Sequence, residues 1–146
     1  MKRLCAALLF LCAPAAAHAA DTFTFTTVNK FVDGVRVPQQ GPSFLGAQVF
    51  SFDTETVYAD GHKDKQLGKC SGWKNPPGAQ FDQSGVCTSP KNYTLRYSCQ
   101  PEAGKNVSNC WGYLEAAPES PFKGRTGVIA YRTTATGVVG VGRWND

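Results

Sequence analysis

Short stretches in which apolar and polar residues alternate run along most of the chain. In "TFTFTTV" (22–28) phenylalanines alternate with threonines, and in "NYTLRYSCQ" (92–100) every second residue from Tyr93 to Cys99 is aromatic or apolar. A period of two residues is that of a β-strand with two different faces. No window keeps apolar residues at spacings of three and four, so the pattern predicts no long amphipathic helix.

Turn signals divide these stretches into short segments. The turn sequences are "DG" at 33–34, "NPPG" at 75–78, "PEAGKN" at 101–106 and "TATG" at 134–137. About eight short strands with frequent turns in a single domain predict an all-β barrel or sandwich. The clearest predicted strands are 22–28, 44–52, 54–59, 92–100, 109–116, 126–133 and 137–144.

Glycines in the last segment favour the barrel. Gly137, Gly140 and Gly142 lie within one strand, where glycine normally weakens pairing. Their use there is sharp coiling or close approach, as at the corner of a small closed barrel. A barrel also removes the exposed edges that an open sheet of eight strands would have. We therefore predict a small antiparallel barrel of about eight strands, with a β-sandwich as the alternative.

The N-terminus has the three parts of a secretory signal peptide. "MKR" is basic, "LCAALLFLCA" is apolar, and "AHA" (17–19) has the small residues of a cleavage site. The apolar run is shorter than the roughly 20 residues of a transmembrane helix. We predict a signal peptide over 1–19 and one barrel domain over 20–146, exported by a bacterial Sec-type route to the periplasm or the medium. No membrane span is expected after cleavage.

Four of the six cysteines lie in the predicted mature chain: Cys70, Cys87, Cys99 and Cys110. An even number in an exported chain predicts two disulfides. Of the three pairings we favour the sequential one, 70–87 and 99–110, because each bridge then closes a short loop or hairpin. Such a bridge contributes about 3 kcal/mol in the chain-entropy model. A zinc site is disfavoured, since no C-x-x-C pair occurs and His62 is the sole histidine of the mature chain.

The charge excludes some partners. Fifteen basic and eleven acidic residues give a formal net charge of +4, which falls to +2 when Lys2 and Arg3 leave with the signal peptide. The remaining basic residues are scattered along the chain. This distribution predicts neither nucleic-acid binding nor attachment to an anionic membrane.

Motifs for enzyme chemistry are missing from the sequence. It contains no G-x-S-x-G elbow, no H-E-x-x-H and no phosphate-binding glycine loop. His62 lies in an expected exposed turn, and the carboxylates Asp53, Glu55 and Glu115 are expected in solvent at strand ends. We expect no metal or cofactor. An enzyme of the cyclase or isomerase type, which shapes a bound substrate, ranks last among the functions considered.

Aromatic residues indicate a binding function instead. Tyr93 and Tyr97 share the predicted inward face, and a barrel of eight strands is either filled by side chains or holds one small ligand. With Arg96 or Arg132 at an opening, such a pocket suits an apolar, aromatic or carboxylate ligand. Trp73 and Phe81 complete the candidate ligand-binding set. In the alternative arrangement the tyrosines lie at the barrel ends with their hydroxyls in water.

The segment "CSGWKNPPGAQFDQSGVC" (70–87) supports a second hypothesis, that of a protein-interaction or inhibitor module. A disulfide and two prolines restrict the unbound loop and lower the entropy lost on docking. Trp73 is then the anchor, because tryptophan is favoured at binding hot spots. An extracytoplasmic protein is the expected partner.

About 35 residues within 110–146 resemble a group of small secreted barrels. "CWGYLEAAPESPFKGRTGVIAYR" and "GVGRWND" are similar to the glycine–aromatic rhythm of the allene oxide cyclase and dirigent group, and the chain resembles small secreted bacterial proteins of this size. The resemblance implies a closed barrel. It supplies no catalytic residues, and the cysteines and "NPPG" are not part of the pattern. The matching residues are Phe122, Gly124, Gly127, Tyr131, Gly140, Gly142 and Trp144.

Overall fold

Eight antiparallel strands form a closed barrel. A computed structural model describes residues 21–38, 44–134 and 136–146; the predicted signal peptide, 1–19, lies outside these residues. Each strand pairs with its neighbour in sequence, and the last pairs with the first. The strands are β1 (Thr22–Pro38), β2 (Phe44–Tyr58), β3 (Lys63–Lys74), β4 (Gln83–Ser89), β5 (Tyr93–Pro101), β6 (Ser108–Ala116), β7 (Thr126–Thr134) and β8 (Gly137–Asn145).

The closure confirms the predicted antiparallel barrel and excludes the sandwich. β1 pairs with β8 along Thr22–Thr27 and with β2 along Phe23–Pro38. Over the described ranges, no helix has the length and apolar character needed to cross a membrane.

The segment 70–87, predicted as a loop, is a hairpin. It contains the end of β3 and most of β4, and only residues 75–82 connect the two strands. The strands were missed because their inward positions include Gly68, Gly72 and Gly85, which show no apolar alternation. The prediction of a long loop was therefore wrong.

The segments 44–52 and 54–59, predicted as two strands, belong to the single strand β2. Asp53, taken as the break between them, is exposed, while its neighbours Phe52 and Thr54 are buried. A charged residue on the outer face does not interrupt a strand, because successive side chains point to opposite faces.

One inward row of opposed residues runs round the whole barrel and shows how the strands are staggered. It starts at Phe23 and returns to β1 at Gly34, eleven residues further along, of which Val32 is the extra residue of a β-bulge. The circuit thus shifts the register by ten residues, which fixes the tilt of the strands. The row is Phe23, Gly142, Ile129, Gly112, Tyr97, Gly85, Gly72, Gln48 and Gly34.

Inward-facing rings lie over glycines on the neighbouring strand. A Cβ atom added at Gly142 would lie 2.4 Å from the ring of Phe23, and one at Gly140 would lie 2.5 Å from the ring of Phe25. These glycines were predicted to allow close approach; the approaching groups include aromatic rings. Because a ring takes the space of the missing side chain, large and small residues alternate around the interior.

Two disulfides join directly opposed residues of adjacent strands, as predicted. Cys70–Cys87 links β3 to β4, and Cys99–Cys110 links β5 to β6. All four cysteines are buried among the inward-facing side chains. Disulfides of this kind are consistent with an oxidising extracytoplasmic environment.

One end of the barrel is closed by stacked rings. The ring of Phe122, from the β6–β7 connection, lies 4.9 Å from that of Trp144 and 5.7 Å from that of Tyr58. Arg125 holds this connection against both ends of the described chain, with its Nη1 2.8 Å from Asp21 Oδ1 and its Nε donating to the Asn145 carbonyl at 2.9 Å. At the opposite end the β1–β2 hairpin extends beyond the other strands.

Candidate ligand-binding cavity

A cavity of about 390 Å³ occupies the barrel interior. It lies between the closed end and the β1–β2 hairpin, and every strand contributes to its wall. The lining residues are Phe23, Phe25, Thr27, Asn29, Phe31, Gln48, Phe50, Phe52, Thr54, Thr56, Tyr58, Gln66, Cys70, Gln83, Cys87, Tyr93, Leu95, Tyr97, Cys99, Leu114, Ile129, Tyr131, Thr133, Val138 and Trp144.

One wall of the cavity is aromatic. Tyr97 and Tyr131 meet edge to face with ring centroids 6.3 Å apart, and Phe25 adds a further edge contact to Tyr131 at 6.2 Å. Tyr93 stacks on Phe52 at 6.5 Å. This wall offers both ring faces and ring edges to a bound apolar group.

Polar but uncharged side chains on β1, β2 and β3 form a second part of the lining, the polar wall. The Thr27 and Thr54 hydroxyls share a hydrogen bond of 2.7 Å, and Thr56 and Gln66 are buried beside them. The Gln66 Nε2 amide donates a hydrogen bond to Asp64 Oδ2 at 2.9 Å, and this bond fixes the Gln66 side chain. Among the described residues, no charged side chain lines the cavity.

Burial keeps the interior tyrosines in the neutral form. Desolvation raises the pKa of Tyr58 to about 12, although the Trp144 indole opposes the shift. It likewise raises the pKa of Tyr97 to about 12, with the Gln83 amide acting in the opposite direction. Burial also raises the pKa of Tyr93 and of Tyr131. These phenols therefore supply no phenolate at neutral pH.

Two polar atoms of the cavity-lining residues make no hydrogen bond of normal geometry in the described part of the chain, although the Trp144 indole acts on Tyr58 and the Gln83 amide acts on Tyr97. They are the Tyr97 hydroxyl and the Trp144 indole N–H. Buried tyrosine and tryptophan usually satisfy these groups. The barrel interior therefore contains polar groups whose hydrogen bonds the protein itself does not complete.

The mouth of the cavity lies beneath the β1–β2 hairpin. Asn29 and Phe31 on β1, and Gln48 and Phe50 on β2, continue the cavity lining beyond the point at which β8 leaves β1. Phe31 is 65% exposed. An apolar ring with polar amides around it thus stands at the entrance.

The structure separates the five residues predicted to bind ligand. Tyr93 and Tyr97 line the cavity together. Trp73 points outward from β3, and Phe81 lies in the 75–82 connection with its ring 6.0 Å from that of Trp111. Arg96 is exposed on the outer face of β5, between the buried Leu95 and Tyr97.

The expected position of Arg96 at an opening was therefore wrong. It follows from strand alternation: if Tyr93 and Tyr97 face inward, residue 96 faces outward. The cavity consequently lacks the cation that a carboxylate ligand needs, and that part of the predicted ligand class is not supported.

Sequence reasoning missed the polar wall. Thr54, Thr56 and Gln66 are buried lining residues, yet threonine and glutamine did not enter the candidate set. The alternation along β2 could have indicated the two threonines, because Thr54 and Thr56 occupy every second position between the inward Phe52 and Tyr58. Continuing the alternation of inward positions through the polar residues of a strand identifies such residues.

The residues considered for catalysis lie outside the cavity. His62 is exposed in the β2–β3 turn, and Asp53 and Glu115 are exposed on the outer face. Glu55 lies 3.6 Å from the Lys63 ammonium group. In the described ranges, no group of histidine, cysteine and acidic side chains has the arrangement of a metal site.

Comparisons with protein-family models, with curated proteins and with solved structures find no match for this chain. The similarity to the allene oxide cyclase and dirigent group therefore stays a prediction. The cavity is the feature from which a function can be inferred.

Proposed function

We propose that the protein is an exported binding protein that holds one small, uncharged, apolar or aromatic molecule inside the barrel, in the periplasm or the medium. The observation that carries this proposal is the 390 Å³ cavity with an aromatic wall, a neutral polar wall and one open end. Binding pockets are concave, largely apolar and furnished with a few polar groups that orient the ligand.

The volume limits the size of the ligand. A cavity of about 150 Å³ lined by apolar residues accommodates benzene. The present cavity therefore has room for a molecule of about two to three rings, or an aliphatic chain of similar volume.

The lining limits the charge of the ligand. An ionised group inside the barrel would lose its hydration without gaining an opposite charge, which is costly. A neutral molecule with a hydroxyl, carbonyl or ether group fits better. Its apolar body contacts Tyr93, Tyr97 and Tyr131, and its polar group faces Thr56 and Gln66.

The cyclase or isomerase alternative receives less support. It requires an acid or a base inside the pocket. The described lining contains no carboxylate or histidine, and burial raises the pKa of its tyrosines further from neutrality.

A matched pair of variants on β8 tests the binding proposal. Val138 lines the cavity, and Val139 is exposed on the outer face. Val138→Phe fills part of the cavity, whereas Val139→Phe adds the same volume outside. Affinity for N-phenyl-1-naphthylamine, a neutral fluorescent probe, should fall at least about tenfold in Val138→Phe only, a loss of about 1.4 kcal/mol.

Two outcomes would overturn the proposal. Equal probe binding by both variants and the original protein would place the probe on the surface. No binding by the original protein, together with native mass spectra of exported protein that never contain a small molecule, would show that the cavity serves no ligand of this class. Circular dichroism of each variant controls for folding.

A further inference from the structure

The β1 strand presents a long edge without a neighbouring strand. β8 pairs with β1 only along Thr22–Thr27, while β2 pairs with β1 as far as Pro38. From Val28 onward, the edge of β1 away from β2 has no partner strand in the described part of the chain. Unpaired backbone N–H and C=O groups on such an edge are ready to pair with another strand.

This edge carries apolar side chains. Val28 is 65% exposed and Val35 is 63% exposed, and Phe31 and Val32 between them are also more than half exposed. Neither Lys30 nor Asp33, the two charged residues of the segment, has an ion-pair partner among the described residues. An exposed apolar strand edge of this length is a pairing site.

The β-bulge at Val32 changes which residues face outward. Before the bulge, Val28 and Lys30 lie opposite Asp53 and Ser51 on the outer face of β2. After it, Asp33 and Val35 lie opposite Val49 and Ala47, also on the outer face. The outward set therefore switches from even-numbered to odd-numbered residues.

We propose that a second copy of this chain pairs antiparallel with the β1 edge, about a two-fold axis between Phe31 and Val32. Opposed residues in an antiparallel pair share a face, and a two-fold axis makes each contact occur twice. Placing Val28 opposite the second copy's Val35 places Lys30 opposite its Asp33 and Asn29 opposite its Gly34. Apart from Phe31 and the bulge residue Val32, which meet at the axis, outward residues then oppose outward residues and inward residues oppose inward ones.

Charge and facing together select this register. Moving the second copy by one residue places outward side chains opposite inward ones, which a sheet does not allow. Moving it by two residues places Lys30 opposite Val35, or Asp33 opposite Val28, so that no pair of opposite charges forms. The proposed register therefore forms two Lys30–Asp33 pairs, and cross-strand pairs of opposite charge stabilise a sheet.

The resulting dimer contains a continuous ribbon of four strands, β2–β1–β1–β2. It covers the exposed valines and removes the unpaired edge, which is the usual way in which sheets avoid uncontrolled association. The dimer does not depend on the proposed ligand, and it leaves the cavity inside each barrel.

Complementary charge reversals test this arrangement. Lys30→Asp alone places two carboxylates opposite each other in each pair, and Asp33→Lys alone places two ammonium groups opposite each other. Sedimentation equilibrium of the exported, oxidised protein should give a concentration-dependent dimer mass. Each single variant should raise the dimer dissociation constant at least about tenfold, which is the effect of about 1.4 kcal/mol. An equimolar mixture should recover the dimer, since every pair then joins a carboxylate to an ammonium group.

Lys69→Asp is the matched control, because Lys69 is exposed on the outer face of β3, away from the β1 edge. It should dimerise like the original protein. A monomer at all concentrations would overturn the proposal. So would a dimer that resists both reversals, or a mixture of the two variants that remains monomeric. Circular dichroism of each variant confirms that loss of dimer is not loss of fold.

Discussion

The side chain of Tyr97 on β5 crosses β4 and ends over Gly72 on β3. A Cβ atom added at Gly72 would lie 2.5 Å from the Tyr97 hydroxyl oxygen. Gly85, between them on β4, meets the same ring at a similar distance. Two glycines thus allow one tyrosine to lie along the barrel wall instead of across the cavity.

Gly72→Ala should therefore destabilise the protein by about 1–3 kcal/mol, the usual effect of adding a methyl group to a packed interior. The double variant Gly72→Ala/Tyr97→Phe should recover most of this loss, because it removes the oxygen that the new methyl group meets. Urea unfolding at neutral pH measures both effects.

Ser71→Ala is the control, since Ser71 is exposed at the adjacent outward position. If Gly72→Ala is as stable as the original protein, or if Tyr97→Phe gives no recovery, the tyrosine does not depend on this glycine.

Trp73 and Trp144 lie on opposite faces of the barrel wall and should respond differently to truncation. Trp144 is 5% exposed and stacks on Phe122, so Trp144→Ala should cost about 3–5 kcal/mol. Trp73 is 43% exposed on the outer face, so Trp73→Ala should change stability by less than about 1 kcal/mol. Thermal unfolding of the two variants measures the difference.

Trp73→Ala also tests the hypothesis that the protein docks to another protein through the 70–87 hairpin. Capture of an extracytoplasmic partner by tagged protein should then be lost at unchanged stability. A loss of stability as large as that of Trp144→Ala would identify Trp73 as a packing residue instead.

Stability should fall steeply in alkaline solution. Burial raises the pKa of Tyr58 and of Tyr97 to about 12, whereas an exposed phenol in the unfolded chain titrates near 10. The stabilising contribution is complete below about pH 10 and is lost as the pH rises through 12, because only the unfolded state releases these protons in that interval.

Urea unfolding at pH 8, 10 and about 11.5 measures this dependence. Tyr97→Phe removes one of the groups and should flatten the decline. Stability that is unchanged between pH 8 and 11.5 would show that these hydroxyls are not desolvated.

Much of the fold was predictable because it depends on local pattern. The period of two in 22–28 and 92–100 predicts strands, and it correctly placed Tyr93 and Tyr97 on one face, which lies inward in the barrel. The order of the cysteines led to the pairing that the barrel confirms. These properties depend on alternation and on short loops, which neighbouring residues determine.

The size of the cavity and the place of the hairpin edge were decided by tertiary structure. Gly68, Gly72 and Gly85 leave β3 and β4 without an apolar alternation, so the hydropathy pattern did not predict these strands. These positions are small because rings from other strands occupy the space. A ten-residue register shift, set by all eight pairings together, determines how much interior remains and where β8 leaves β1. Such quantities are sums over long-range contacts, and no local pattern contains them.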